Sequence, residues 1–263
     1  MTDAASNPLL APSSLPFGLP DYPGIRAEHY LPAFEAAFAQ HRAEIDAITA
    51  QSEAPTFANT LERLEAAGDL LGRVARTFYT VSSAHATPEI QEIDAALAPL
   101  MSAHDDAVQL DAALYARVRA VYEQLDSLDL GAEERYLVER RYREMTSAGA
   151  ALDDGAKSVL TEINQRLSVL SNTFEKNLLA DTNDLAVVFD DADELDGLTD
   201  GELSAAAQNA ADRGLPGKYV VTLTLFTGHP YLSTLTSRES RRRLLDASRS
   251  RASRGTHTTT AKC

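Results

Sequence analysis

Apolar residues recur at alternating spacings of three and four along most of the chain, and this periodicity is the strongest constraint on its fold. An α-helix has 3.6 residues per turn, so this spacing places apolar side chains on one helical face. The first seam consists of Leu31, Phe34, Phe38, His41, Ile45 and Ile48. Further seams span residues 57–81, 90–100, 114–125, 138–145 and 160–178.

Pro, Gly and Asp interrupt these seams at intervals of roughly 20 to 30 residues, which is typical of separate helices packed side by side. The third seam also has a clear start, because Thr87 is a good N-cap, Pro88 suits the first helical position and Glu89 favours the positive end of the helix. We therefore predict a mainly α fold, an antiparallel helical array with a small two-stranded β element near residues 185–224. An extended coiled coil is the alternative.

The β element is predicted from a change of pattern near residue 181. Residues 185–189 and 219–224 are β-branched and aromatic runs bounded by Asp and Gly, and each has the length of a strand. We expect them to pair, with a helical stretch at 200–213 between them and a basic helix at 237–253 after them.

The sequence predicts four segments. Residues 1–24 contain five prolines and form an extended N-terminal arm. Residues 25–180 form the helical array, residues 181–255 an α+β segment ending in the basic helix, and residues 256–263 a divergent tail.

The charge balance bears on which partners the chain can have. With 39 acidic and 24 basic residues, the formal net charge is −15, which repels phosphate backbones and anionic lipid surfaces. We therefore expect neither nucleic acid nor membrane as a partner. The single cysteine, Cys263, permits no disulfide within the chain, and the N-terminus lacks the pattern of a signal peptide, so we expect a cytoplasmic protein.

No complete catalytic motif is present in these 263 residues. A zinc hydrolase motif would place two histidines four residues apart with Glu after the first, and no histidine here has that context; the six are His29, His41, His85, His104, His229 and His257. His41 and His104 are interpreted as core-edge or surface residues. There is no Gly-x-Ser-x-Gly elbow, and residues 214–218 resemble a phosphate loop only loosely, which favours a turn before the second strand. An independent hydrolase with an unrecognised site is a further interpretation of the chain.

Two charged clusters suggest binding functions. Residues 181–202 contain nine acidic residues and no Lys or Arg, and Asp191, Asp193 and Glu202 fall at positions one, three and twelve of a calcium loop. Leu195 and Asp196 occupy places where an oxygen ligand and a glycine belong, so helix capping and a solvated surface explain the cluster better. The basic cluster at 238–254 lacks interleaved aromatic residues, which favours a solvated face, or one that pairs with acids elsewhere in the chain, over nucleic-acid binding.

The order of several short segments resembles the opening of the M3 family of zinc oligopeptidases, with the dipeptidyl carboxypeptidase (peptidyl-dipeptidase) branch as the best match. The segments include Asn7-Pro8-Leu9-Leu10, residues 25–35, Pro55-Thr56-Phe57-Ala58-Asn59-Thr60-Leu61, residues 149–152, residues 174–179, residues 194–198 and residues 235–245. Each segment alone is weak, but their shared order and spacing cover the chain from about residue 7 to residue 255.

The resemblance implies the N-terminal portion of a two-lobed, mostly helical enzyme whose deep channel restricts entry to short peptides. In that family a single zinc ion is held by an HExxH motif in the later half of the sequence, so we assign no catalytic residue, metal ligand or cofactor to this chain and expect zinc only in the full-length family. Short peptides are expected as partners only if a catalytic half completes the chain. Residues 256–263 do not resemble the family. A truncated or frameshifted gene, or a clipped fragment, would produce such an ending.

A stand-alone helical interaction module without catalysis is the alternative function. If the chain is part of a larger enzyme, two regions should carry apolar surface intended for a missing lobe. These are the arm around Leu9, Leu10, Phe17 and Leu19, and the strand pair.

Overall fold

A computed structural model describes residues 7–251, and the mainly α fold predicted from the sequence is confirmed. The helices are α1 (Tyr30–Thr49), α2 (Arg63–Ala66), α3 (Asp69–Ala84), α4 (Pro88–Gln109), α5 (Ala112–Glu123), α6 (Ala132–Ala148), α7 (Asp154–Asp184), α8 (Asp200–Asp212), α9 (Tyr231–Thr234) and α10 (Arg238–Ser250). Strands β1 (Val187–Phe189) and β2 (Tyr219–Val221) form an antiparallel pair in which Val188 lies opposite Val220. No helix within this span has the length and apolar character needed to cross a membrane.

The chain divides into two compact units between residues 169 and 170, with α7 beginning in the first and ending in the second. The segment limits that the sequence predicts at residues 24, 180 and 255 stay predictions, and the predicted tail at 256–263 lies outside the described residues.

The first unit contains two apolar clusters that share α1. Phe34 and Phe78 lie at the centre of one, where α1 and α3 pack with their aromatic rings edge to face at 5.8 Å between centroids. Leu61, Val118 and Val138 belong to the other, which joins α5 and α6 to the turn before α2. The sequence seams that predict these helices therefore become their buried faces.

The predicted single seam at 57–81 is broken in the structure. Residues Phe57–Glu62 form a π-type turn capped by Thr56, whose Oγ1 accepts the N–H of Asn59 at 3.1 Å. Gly68 then adopts a left-handed conformation with φ +80°, which ends α2 and starts α3 in a new direction.

The second unit is built around the strand pair. Phe189, Val220 and Val221 are almost completely buried, and Leu195, Leu223 and Leu244 pack in the same core. The expectation that this strand pair carries exposed apolar surface is therefore wrong, because α8 and α10 cover it.

Candidate functional site

Helix α7 carries a row of exposed apolar side chains in the first unit. Val159, Ile163 and Leu167 succeed one another at intervals of four residues, so their side chains share one helical face. Their exposed fractions are 57%, 50% and 54%. We call these three side chains the α7 stripe.

A different flank of α7 attaches the helix to α4. The Lys157 ammonium donates to the carbonyl oxygen of Leu110 at 2.9 Å, and Asn164 Nδ2 donates to Asp106 Oδ1 at 2.7 Å. Polar contacts thus fix this helix in place while the α7 stripe stays in contact with solvent. The sequence predicts an apolar seam through Ile163 and Leu167 but not that the seam lacks a cover.

The two histidines on the first seams meet each other. His41 on α1 and His104 on α4 are joined by a hydrogen bond of 2.9 Å between His41 Nδ1 and His104 Nε2. The ring of Phe38 lies 4.7 Å from that of His104, and Gly68 leaves room for the ring of His41, because a Cβ at that position would lie 3.2 Å from it. The interpretation of both as structural residues at the core edge agrees with this geometry.

The surroundings of this pair disfavour its charged form. Burial lowers the pKa of His41, although the nearby Glu44 carboxylate opposes the effect. Burial, and then the positive potential of His41 and Arg42, lowers the pKa of His104. The pair is therefore held neutral over a wider pH range than a free histidine.

The described residues do not supply a zinc site. Within residues 7–251, no cluster of three or more His, Cys, Asp or Glu side chains is arranged to hold a metal ion. His41 and His104 offer at most two imidazole ligands, and one nitrogen of each is used in the bond between them, whereas a protein zinc site needs at least three ligands.

Several acidic residues of 181–202 make contacts within the second unit. Glu202 accepts the backbone N–H of Thr199 at 2.8 Å as part of a capping box at the start of α8. Glu194 pairs with Arg243 at 2.7 Å, and Asp190 pairs with Lys218 at 2.9 Å. The capping role predicted for this cluster is confirmed for Glu202.

Two arginines of the basic helix α10 make contacts with acidic or aromatic side chains. The Arg243 guanidinium lies 4.5 Å from the centre of the Phe189 ring and donates to the carbonyl oxygen of Val188, besides its pairing with Glu194. Arg242 pairs with Glu239 within the helix at 3.0 Å. The predicted pairing with acids elsewhere in the chain is confirmed for Arg243, whose partner Glu194 lies outside the helix.

Arg117 is a buried residue that the sequence analysis missed. It is only 7% exposed, and its guanidinium donates to the carbonyl oxygens of Gln51 and Glu53 and to Asn59 Oδ1 at 3.0–3.2 Å. The available signal was its position three residues after Leu114, on the same face as that apolar seam.

Comparison with known proteins identifies relatives along almost the whole chain. A dipeptidyl carboxypeptidase of Salmonella typhimurium is 38% identical over 251 residues, which cover 95% of this chain and 37% of that protein. The dipeptidyl carboxypeptidase of Escherichia coli is 34% identical over 246 residues, covering 94% and 36%. Oligopeptidase A of Salmonella typhimurium is 27% identical over 248 residues, again covering 94% and 36%.

No protein-family model matches the chain. The chain spans slightly more than one third of the length of these relatives.

Proposed function

We propose that this chain, which belongs to the M3 family of peptidases and corresponds to its N-terminal region, forms the helical portion of a peptidyl-dipeptidase. In the whole enzyme this portion would line the substrate channel. The observation that carries this proposal is the α7 stripe, a row of aliphatic side chains held in solvent on a helix that polar contacts fix at another flank.

Such a stripe suits the wall of a channel for short peptides. Binding is stabilised when an apolar peptide side chain covers half-exposed aliphatic side chains, and this contact does not select one peptide sequence. A fixed helix loses little conformational freedom when a peptide binds along it. The stripe therefore contributes affinity for extended peptides, and the width of the channel excludes folded proteins.

In this proposal the cleavage step takes place outside the present chain. The zinc ion and the HExxH motif of the full-length family would supply the hydrolytic chemistry, and residues 1–263 would contribute no catalytic group. The protein would act on short peptides in the cytoplasm.

The proposal is tested with a chimera that joins this chain to the part of the Salmonella dipeptidyl carboxypeptidase beyond the matched region. Dipeptide release from a short blocked peptide with apolar side chains is measured for the chimera and for its Ile163→Arg and Leu167→Arg variants. A wall role predicts a KM raised roughly 3- to 10-fold at an unchanged kcat, because the substitutions remove binding and not a catalytic group.

Gln165→Arg is the matched control, because it adds the same charge to an exposed position of α7 outside the stripe. It should leave KM unchanged. An active chimera in which the stripe variants and this control have the same KM would contradict the wall role. Dipeptide release by the present chain alone, lost on mutation of one of its own residues, would contradict the assignment of catalysis to another part.

A further inference from the structure

The tight turn that follows β2 carries two large apolar side chains at its tip. Leu225 is 80% exposed and Phe226 is 79% exposed, and within residues 7–251 only Phe17 among the large apolar side chains exceeds them. Tight turns are mostly built from Gly, Pro, Asn, Asp and Ser, so the turn itself does not require these two residues. Contiguous exposed apolar side chains are a common mark of a contact surface. We call residues 224–228 the apolar turn.

The apolar turn is held in one conformation by its own hydrogen bonds. The backbone N–H groups of Thr227 and Gly228 donate to the carbonyl oxygen of Thr224 at 3.3 and 2.9 Å. The hydroxyl of Thr227 lies 2.9 Å from that of Thr224 and donates to the carbonyl oxygen of Thr222. Leu223, at the base of the turn, is only 1% exposed in the core of the second unit. The turn would therefore lose little conformational freedom when its tip is covered.

The end of α10 lies against the base of the same turn. Arg251, which follows the last residue of α10, donates from Nη1 to the carbonyl oxygen of Leu223 at 3.0 Å. A second contact joins α10 to the segment after the turn, because Ser248 Oγ lies 3.4 Å from His229 Nε2. The backbone that continues past Arg251 therefore starts beside the apolar turn.

The relatives show how much chain can follow from this position. The match covers 37% of the Salmonella dipeptidyl carboxypeptidase and corresponds to its N-terminal region, so most of that protein follows the equivalent of α10. A segment tethered at this point meets the apolar turn at an effective concentration on the order of millimolar. The next portion of such an enzyme is therefore the occupant that reaches the turn most readily.

The size of the apolar turn distinguishes a tethered occupant from a free one. A fully covered aromatic side chain buries about 150–250 Å². Phe226 and Leu225 together therefore supply well under the ~800 Å² that each partner contributes to a stable interface between separate proteins. A second copy of the chain is also repelled by the formal net charge of −15. A tethered segment needs less area, because its association is intramolecular.

We propose that the apolar turn is a docking surface for the portion of the peptidase that follows this region in the relatives, with Leu225 and Phe226 lying in an apolar pocket of that portion. The contact holds the second unit on the later part of the same enzyme. It rests on the part of the proposed function that makes this chain one portion of a larger peptidase, and it does not depend on the α7 stripe.

The test compares the full chain alone with the chimera that carries the later part of the Salmonella dipeptidyl carboxypeptidase. Phe226→Gln, alone and together with Leu225→Gln, is made in both, and urea midpoints and hydrogen exchange of residues 222–231 are measured. In the chain alone the substitutions should leave the midpoint unchanged, because both side chains already contact water. In the chimera the unsubstituted turn should exchange at least ~10-fold more slowly than in the chain alone. The substitutions should remove this protection and lower the midpoint of the chimera.

Leu245→Gln is the matched control, because Leu245 is an apolar residue of the second unit that is 39% exposed on α10, outside the turn. It should shift the midpoint equally in the chain and in the chimera. Equal exchange of the unsubstituted turn in both proteins, or an equal effect of Phe226→Gln in both, would overturn the proposal. Protection that rises with the concentration of the chain alone, and is lost in Phe226→Gln, would assign the turn to a second copy and would also overturn it.

The same chimera separates the docking surface from the channel wall. Phe226→Gln should leave the KM for the short peptide unchanged while the chimera is folded, whereas the stripe variants should raise it. Protection of the turn without any effect of the stripe variants on KM would refute the wall alone. A stripe effect without protection of the turn would refute the docking alone.

Discussion

His41 and His104, which are 63 residues apart in sequence, lie 2.9 Å apart between His41 Nδ1 and His104 Nε2 and thereby tie α1 to α4. A neutral imidazole has one donor and one acceptor nitrogen, so one ring donates its N–H to the other only while at least one of them is unprotonated. Two imidazolium ions at this distance would have two donors facing each other and no acceptor. The bond between the helices is therefore a function of pH.

We predict that acid weakens the fold through this pair. In the folded chain both histidines have pKa values below the ordinary 6.5, because burial disfavours their charged forms. As the pH falls below 6.5, the unfolded chain therefore binds more protons than the folded chain. The contribution of the pair to the free energy of unfolding is fully present above pH 6.5 and is lost as the pH drops through the lowered pKa values. Urea midpoints between about pH 8 and about pH 5 measure this slope.

The slope should become smaller in His104→Gln, because glutamine can hydrogen-bond to His41 but does not titrate. Glu44, Arg42 and, across a small cavity, Arg141 are the charged groups around the pair and remain in place. His85→Gln, at an exposed histidine after α3, serves as the control. An identical slope in the His104→Gln variant and in the unchanged chain would rule out this pair as the source.

Gly197→Ala should destabilise the second unit strongly. Gly197 has φ +99°, and an added Cβ would lie 2.1 Å from the carbonyl oxygen of Thr234, a backbone atom that cannot rotate away. Strain and clash together should lower the free energy of unfolding by at least ~2 kcal/mol. Thermal and urea denaturation of the purified variant check this.

The matched change is Gly201→Ala in the first turn of α8, where a Cβ meets nothing within 4 Å. Alanine favours the helix there by about 0.5 kcal/mol, so stability should be unchanged or slightly higher. Equal destabilisation by both substitutions would show that the contact with Thr234 is not responsible.

Arg117→Ala should destabilise the first unit. The substitution leaves the carbonyl oxygens of Gln51 and Glu53 and the Asn59 side chain without their charged donor in a partly buried region, a loss on the order of 2–3 kcal/mol. Arg119→Ala removes an exposed arginine two residues along the same helix, whose partner is Glu123, and should have little effect. Urea denaturation in which the two variants behave alike would contradict the structural role of Arg117.

The purified chain should not bind zinc tightly. The His41–His104 pair presents at most two imidazole ligands, and no third ligand stands beside them within residues 7–251. Calorimetric titration with zinc should therefore show no stoichiometric binding with a submicromolar Kd. Tight binding that His104→Ala abolishes would identify a site that the structure does not suggest.

Much of the helical architecture follows from local sequence. Thr87 caps α4 by accepting the N–H of Ile90, and Pro88 is its first residue, as the sequence predicts. These features are predictable because caps and apolar periodicity depend on residues within one or two turns. The sequence likewise predicts that residues 185–189 and 219–224 pair, and β1 and β2 lie within these ranges.

Contacts between distant segments could not be predicted in this way. Leu9 in the arm is buried in the first core, while Phe17 in the same arm is 99% exposed, and their local sequences do not distinguish them. The His41–His104 bond and the burial of Arg117 likewise depend on how separate helices pack. Within residues 7–251 the α7 stripe stays exposed whereas the other seams are largely covered, a difference that periodicity cannot reveal.

The α7 stripe also bears on how copies of this chain meet at high concentration. A formal charge of −15 keeps the copies apart in dilute buffer. The Debye length falls from about 30 Å at 0.01 M salt to about 3 Å at 1 M, so concentrated salt removes this repulsion but leaves the aliphatic side chains of the stripe in water. High salt should therefore favour association of the chain, and the α7 stripe is one of the apolar surfaces available for it.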